Sequence, residues 1–334
     1  MTSFRFLFSN GALLQGSEVP PVATFLETHP GAYTTTRSLN NASSILFWDR
    51  HMKRLTQSVK ILSNSSPLLL SESNRTINEL VKPSWIDSVP WEPAIRTLVD
   101  DSMRKVMSTA LNEKIEGEEL SITVIVSVNL ENLGENYSLV DVERVKEALG
   151  VHVYVGSYVP REFGVPENGA NLAVVGRGRD VAAAKYSDWV RRRKSLEKLR
   201  PPSVSELLLS NDGDQILEGS VTNFFVVCRK TAPISDGVLT GVIRQLVIEA
   251  CSSKGISFRE VAPTWSSNEI WEEAFVTIIC FPFTSPNSSP IDTGCSWDDL
   301  KYNPERDNGE SRLRSIPDWL LRVKGAINNS CRLE

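Results

Sequence analysis

A chain of 334 residues, 41% hydrophobic and 23% charged, carries enough apolar material for a full core at a length that suits about two domains. Its formal net charge of −5 excludes a field that would gather nucleic acid or anionic lipid, so a small-molecule partner is expected, with no nucleic acid and no membrane. Five cysteines, widely spaced and without a CxxC pair or a Cys/His cluster, exclude the usual zinc patterns and suit a reduced protein. With no apolar run of membrane-spanning length and no signal-peptide pattern before the strand-like Phe4-Arg5-Phe6-Leu7-Phe8, a cytoplasmic location is expected.

In chain order, Phe4–Phe8 and Ala12–Leu14 read as a hairpin across an Asn10-Gly11 turn, which suits an antiparallel meander. From Trp48 to Leu62, the residues Met52, Leu55, Val59 and Leu62 recur at helical spacing. Residues 63–93, rich in Ser, Asn and Pro, predict a loop with a short helical piece before a longer helix over Trp91–Leu111. The β-branched runs Ser121–Val128 and Val151–Val155 predict strands, with a helix over Val140–Leu149 between them. A first domain is expected over residues 1–155 and a linker over the Pro- and Gly-containing 156–169. A second domain would follow over 170–334, with a polar surface insertion at 285–312. The basic run Arg191-Arg192-Arg193-Lys194 reads as a solvated helix face rather than a polyanion site.

Three segments have the composition that chemistry needs. In Ala183-Ala184-Lys185-Tyr186, a lysine follows small apolar residues and precedes a helix. Desolvation there lowers an amine's pKa, as attack on an aldehyde requires. In Leu217-Glu218-Gly219-Ser220-Val221-Thr222-Asn223, a carboxylate and a glycine enter an apolar run; a plain hairpin with an exposed glutamate fits the same residues. In Leu239-Thr240-Gly241-Val242-Ile243, a Thr-Gly pair opens a helix over Val242–Cys251, and its first amides suit a phosphate, with Thr240 alternatively a simple cap.

Together with His51-Met52-Lys53-Arg54-Leu55, these segments resemble the class IV aminotransferases, a group that includes branched-chain and D-amino-acid aminotransferases and 4-amino-4-deoxychorismate lyase. The most specific match is Glu218-Gly219 with Asn223, beginning 33 residues after Lys185 (218 − 185). The resemblance implies fold-type IV: a two-domain α/β (α+β) protein with a small α/β N-terminal domain and a larger C-terminal domain holding a pseudo-barrel. It implies pyridoxal 5'-phosphate as cofactor, a Schiff base on Lys185 that then acts as acid and base, and Glu218 facing the pyridine nitrogen. Arg54, Thr240, Gly241 and the amides of Val242 and Ile243 would hold the phosphate. Thr277 would join them at the phosphate, and Tyr33 and Arg37 would fall on the substrate side. A homodimer acting on an amino acid and a 2-oxo acid follows from the same likeness.

The chain also departs from the family. Trp189-Val190 stands where branched-chain enzymes place a tyrosine, Ile278-Ile279-Cys280 replaces further hydroxyl residues, and Tyr33-Thr34-Thr35 looks more like the lyase branch. A transaminase is therefore the leading expectation. A carbon–carbon lyase and a non-catalytic protein of the same fold are its alternatives. The glycines of Gly176-Arg177-Gly178 lack the third that a dinucleotide fingerprint needs.

Overall fold

The computed structural model describes residues 4–9, 11–71, 88–129, 141–159, 172–202, 204, 206–228 and 238–278. The expected insertion at 285–312, Ile279, Cys280 and residues 160–171 lie outside the described residues. The chain divides into two compact units, Met1–Pro160 with Ala183–Arg192, and Arg161–Ala182 with Arg193–Glu334. The segment carrying Lys185 thus returns to the first unit.

The first unit begins with strands β1 (Arg5–Ser9) and β2 (Ala12–Gln15), paired antiparallel as the hairpin reading expects. Gly11 supplies the positive φ of +89° at that turn. Then come helix α1 (Val22–Thr28), strands β3 (Ala32–Leu39) and β4 (Ser44–Ile45), and helices α2 (Trp48–Ser65) and α3 (Trp91–Glu113). Strand β5 (Glu119–Val128), helix α4 (Val142–Ala148) and strand β6 (Leu149–Tyr158) complete it. The sheet runs β2-β1-β6-β5-β3-β4, antiparallel throughout.

The apolar stripe of α2 is buried as its spacing predicts: Met52, Leu55, Val59 and Leu62 are each essentially inaccessible. Each contributes about 1.5–3 kcal/mol by leaving water. The helix expected at 140–149 is shorter, because Asp141 caps it through the Arg144 amide at 2.9 Å and Leu149 already pairs with Val128 in the sheet. Residues Gly156–Tyr158 continue β6 rather than opening a linker, because they pair with Glu119–Ser121.

Strand β3 alternates Thr34, Thr36 and Ser38 on one face with Tyr33, Thr35 and Arg37 on the other. It ends in a turn where Asn40, Asn41 and Ala42 all have left-handed φ, at 56°, 60° and 63°. Such a run is costly for L-residues and needs outside support. Buried Glu119 supplies it, with Oε1 accepting from the Asn41 amide at 2.8 Å and Oε2 from the Ala42 amide at 3.0 Å and the Ser38 hydroxyl.

In the second unit, β7 (Leu172–Val174) is followed by α5 (Asp188–Glu197), whose first residues belong to the first unit. Strands β8 (Glu206–Ser210), β9 (Ile216–Gly219) and β10 (Asn223–Cys228), helix α6 (Val242–Ser253) and strand β11 (Trp271–Thr277) follow. β7 and β8 are parallel, β8 and β9 antiparallel, and β10 pairs antiparallel with β11. One core of Leu208, Ile216, Phe224, Val226, Ala274 and Val276 joins the two small sheets. The basic run is only partly a solvated face. Exposed Arg191 and Arg192 pair with Asp188, but Arg193 is buried and donates to Glu197 at 3.0 Å, because helical spacing turns it inward.

If Glu119 holds the left-handed turn, Glu119→Ala lowers stability by about 2–4 kcal/mol, since hydrogen bonds to a charged group are each worth about 1.5–3 kcal/mol. Urea unfolding followed by circular dichroism checks this. The midpoint drops with an unchanged slope, and Glu119→Gln recovers part of the loss.

Candidate functional site

The candidate residues form two clusters, one in each unit. In the first, the segment after Ala184 runs antiparallel beside the start of β3. The Tyr33 amide donates to the Lys185 carbonyl at 3.0 Å, Ala32 bridges Tyr186, and the Ser187 amide donates to the Gly31 carbonyl at 2.9 Å. The Lys185 amide donates to Ser58 Oγ of α2 at 3.1 Å, so the lysine backbone is tied to both a strand and a helix. Its ammonium lies 4.9 Å from the centroid of the Tyr33 ring. A cation over an aromatic face is favoured electrostatically, and more so when desolvated.

Helix α2 brings His51, Arg54 and Ser58 to that same region, three and four residues apart. Arg54 Nη2 donates to Thr34 Oγ1 at 2.8 Å. The Thr34 hydroxyl then has its own proton to give, and His51 Nδ1 accepts it at 2.8 Å. Arg54 Nη2 lies a further 3.3 Å from the same nitrogen. Two donors on Nδ1 place the imidazole proton on Nε2. Burial first, then the charges of Arg54 and Lys185, holds the His51 pKa well below its ordinary value, so the ring is neutral near pH 7. Burial also lowers the Arg54 pKa to about 10, with Tyr33 opposing, and the guanidinium stays charged. His51 Nε2 and Arg54 Nε are buried donors without a hydrogen-bond partner among the described residues. Arg37 lies on the other face of β3, its guanidinium 5.8 Å from the Tyr158 ring centroid and donating to the Ser38 carbonyl.

In the second unit, Glu218 is not the exposed strand-end residue of a plain hairpin. It is buried at 3% side-chain exposure against Arg179 at 5%. Arg179 Nε donates to Oε1 at 2.7 Å and Nη2 to Oε2 at 2.9 Å, the two-pronged geometry that a guanidinium favours. The Leu239 amide adds a third bond to Oε2 at 3.1 Å. Asn223 holds the same connection from its other end: its amide NH₂ donates to the Leu239 carbonyl at 2.8 Å, and a Cβ on Gly241 would overlap its Oδ1. Glycine is required there for that close approach.

Gly241 caps α6 without a side-chain bond, so Thr240 is not the N-cap; its side chain is exposed. The first intrahelical bond runs from the Gln245 amide to the Gly241 carbonyl, leaving the amides of Val242, Ile243 and Arg244 without an intrahelical acceptor. Two hydroxyls flank Asn223, Thr222 before it and Thr277 opposite it in the β10–β11 register. Both are buried with no hydrogen-bond partner among the described residues. Unspent buried donors beside an open helix start suit an anion such as a phosphate.

Nothing in the sequence pointed to Arg179 as the partner of Glu218 or gave His51 and Thr34 a role. The six-residue step from Arg179 to Lys185 contains no signal for the ion pair, which depends on how β9 is registered. The His51–Thr34 contact was findable in principle, because strand alternation and the i, i+3 spacing of His51 and Arg54 each select one face. Among the described residues no His, Cys, Asp or Glu cluster fits a metal.

A family model described as amino-transferase class IV matches residues 31–277. Comparison with curated proteins gave no match. Among solved structures, the branched-chain aminotransferase of the archaeon Thermoproteus uzoniensis with norvaline is similar at 18% identity, with 98% of this chain and 95% of that one covered and a TM-score of 0.59. The T.th. branched-chain amino acid aminotransferase complexed with N-(5'-phosphopyridoxyl)-L-glutamate is similar at 16% identity, 98% and 93% coverage and a TM-score of 0.56. An aminotransferase from Brucella abortus bound to PLP matches at 13% identity, 98% and 99% coverage and a TM-score of 0.56. At these identities the likeness carries the fold.

The neutral histidines give the protein a definite pH response. His51 is held below its ordinary pKa, and His152 is lowered to about 4 by burial and then by His29. The unfolded chain therefore binds more protons, and the stability these groups contribute is present above about pH 6.5 and lost as pH falls toward the folded values. Each contributes a slope of at most about 1.4 kcal/mol per pH unit. Urea titrations of wild type and His51→Asn, whose Oδ1 still accepts from Thr34, are expected to show a slope lower in the variant by up to about 1.4 kcal/mol per pH unit. An unchanged slope would assign the response to His152 alone.

Proposed function

The chain belongs to the amino-transferase class IV family, and from that membership we propose that it is a pyridoxal-phosphate-dependent aminotransferase moving an amino group between an amino acid and a 2-oxo acid. The observation that carries this reading is the set of unspent buried donors, Arg54 Nε in one unit and Thr222 and Thr277 Oγ1 in the other, together with a lysine whose surroundings are prepared. When bound, pyridoxal phosphate supplies an electron-withdrawing ring that stabilises negative charge on the substrate carbon next to nitrogen.

Each residue's proposed part follows from its own surroundings. Lys185 would hold the cofactor through its amine and would hold or move a proton at Nζ, with the Tyr33 ring lying against that amine to orient it. Arg54, neutral His51 and Thr34 form a preset donor group for the phosphate, with His51 bringing a proton on Nε2 but no extra charge. In the second unit, the amides of Val242 and Ile243 and the hydroxyl of Thr277 are donors suited to a phosphate. Glu218, paired with Arg179, would keep the ring nitrogen protonated. Arg37, backed by Tyr158, sits on the substrate side with a guanidinium suited to a carboxylate.

The lyase reading keeps the same cofactor residues and rests on Tyr33-Thr34-Thr35, which looks more like the lyase branch. The structure supplies a reason for one of those changes, since Thr34 must both accept from Arg54 and donate to His51. That task is unrelated to the choice of reaction, so the aminotransferase reading is preferred. A homodimer is proposed with it, and sedimentation at micromolar concentration giving a monomer would refute that part.

The experiment is a load with pyridoxal phosphate followed by borohydride reduction and peptide mass mapping. Label on Lys185 is expected in wild type and none in Lys185→Ala, while Arg54→Ala needs roughly 10- to 100-fold more cofactor for half-saturation, the loss of about two charge-assisted bonds. The loaded protein is then screened with L- and D-amino acids, with and without 2-oxoglutarate. Turnover that requires the acceptor supports the aminotransferase; pyruvate released from aminodeoxychorismate without one would replace it with the lyase.

A further inference from the structure

The turn Gly219-Ser220-Val221-Thr222 separates Glu218 from Asn223, and so joins the two ends of the second unit's cluster. Its own backbone gives it little to hold on to: the Gly219 amide donates to the Thr222 carbonyl and the Ser220 amide to the Leu207 carbonyl. What grips it from below is the carboxyl of Glu206, the first residue of β8, buried at 6% exposure. Glu206 Oε1 accepts from the Ser220 amide at 2.7 Å, the Ser220 hydroxyl at 2.8 Å and its neighbour's amide, Leu207, at 3.1 Å. A Cβ on Gly219 would overlap Thr222 Oγ1 and fall 3.1 Å from that oxygen, so the glycine makes room first for Thr222 across the turn and also for the carboxyl beneath it.

We propose that Glu206 is a positioning residue for the cofactor site: its carboxylate clamps the Gly219–Thr222 turn and thereby sets Glu218 at one end and Thr222 and Asn223 at the other. The inference rests on the cofactor reading given above. A group offered only donors is best satisfied as an anion, since an ionised carboxylate accepts at every lone pair whereas the protonated acid must find an acceptor for its own proton. Burial nevertheless raises the Glu206 pKa to about 7, against the Ser220 hydroxyl and amide, the charge of Arg193 and the Val221 amide, which lower it. Arg193 of α5 is the charged group facing it, itself bonded to Glu197; β7 opposes it with Leu172 and the turn with Ser220. The clamp is therefore anionic above neutrality and loses its match to the turn as pH falls through about 7.

The sign for stability is opposite to the sign for binding, and this separates positioning from mere support. A carboxyl whose folded pKa is raised contributes stability below its unfolded value of about 4.5 that is lost as pH rises through about 7. Glu206→Gln, which is neutral and of the same shape, should be at least as resistant to urea as wild type at about pH 8.5, yet bind pyridoxal phosphate about tenfold more weakly there, the loss of roughly one hydrogen bond's worth of positioning. At about pH 5.5, where Glu206 is protonated in wild type, the two dissociation constants should agree within about twofold. Ser220→Ala, which removes only the hydroxyl, should give a smaller gap of about threefold at the higher pH. Tryptophan fluorescence titration of the apo full-length protein with pyridoxal phosphate measures all of these. A gap that is absent, or the same at both pH values, overturns the inference while leaving the cofactor reading intact. A wild type that takes no cofactor at either pH overturns both.

Discussion

The second unit is organised around one electrostatic constraint: a carboxylate buried as deeply as Glu218 cannot be left without a counter-charge. An unpaired charge in such a place costs several kcal/mol, and breaking a buried pair by removing one member typically costs about 3–5 kcal/mol. Arg179 answers with two parallel bonds, and Leu239 with a backbone amide. Those three donors determine much else. They fix the approach of the 238–241 connection to β9, that connection delivers Gly241 to Asn223, and the start of α6 follows directly from it. A pair of this kind is poor as a device for stability, because an apolar pair of similar volume would serve equally well or better. Its value lies in holding a fixed negative charge where an ordinary core would have none.

The first unit solves the opposite problem, which is to bury positive charge without burying too much of it. Arg54 and Lys185 both belong to this unit, and a third cation beside them would repel both. The Thr34 hydroxyl resolves the matter by accepting from Arg54 and donating to His51, which forces the imidazole into the tautomer that adds a donor but no charge. The geometry of β3 makes this possible. Strict alternation puts Thr34 toward α2 and Tyr33 toward Lys185, so one strand serves Arg54 and His51 with one side chain and the lysine with the next.

The secondary structure was largely legible in the sequence because its signals are local. The α2 stripe, the β-branched β5 and β6 and the Gly11 turn each declare themselves within a dozen residues. The candidate site residues could be named only through the joint spacing of Lys185, Glu218 and the Gly241 helix start, because a lone lysine or glutamate carries no such information. Hidden from that reading were the partners: Arg179 for Glu218, Thr34 for His51, Glu206 for Ser220. Each is set by register or by which way a strand faces, and neither is encoded near the residue concerned. The Arg193 misreading has the same root, since four consecutive cations look alike in sequence while a helix turns one of them inward.

The departures from the family pattern bear on whether the chain kept its chemistry, and the buried polar atoms argue that it did. Trp189 is a buried core residue, so the change from tyrosine there is accommodated by packing and says little about the rest of the site. Thr222 and Thr277 are different. A buried hydroxyl without a partner costs about 1–3 kcal/mol and returns nothing to the fold, whereas valine of nearly the same shape would remove the cost. Arg54 Nε and His51 Nε2 add two more such donors in the first unit. A protein that had become a non-catalytic scaffold would gain several kcal/mol, a large share of the typical 5–15 kcal/mol stability of a folded domain, by replacing them with apolar groups. Anionic ligand groups would account for Arg54 Nε and His51 Nε2 in the first unit and for Thr222 and Thr277 Oγ1 in the second, and a scaffold that binds nothing accounts for none of these four.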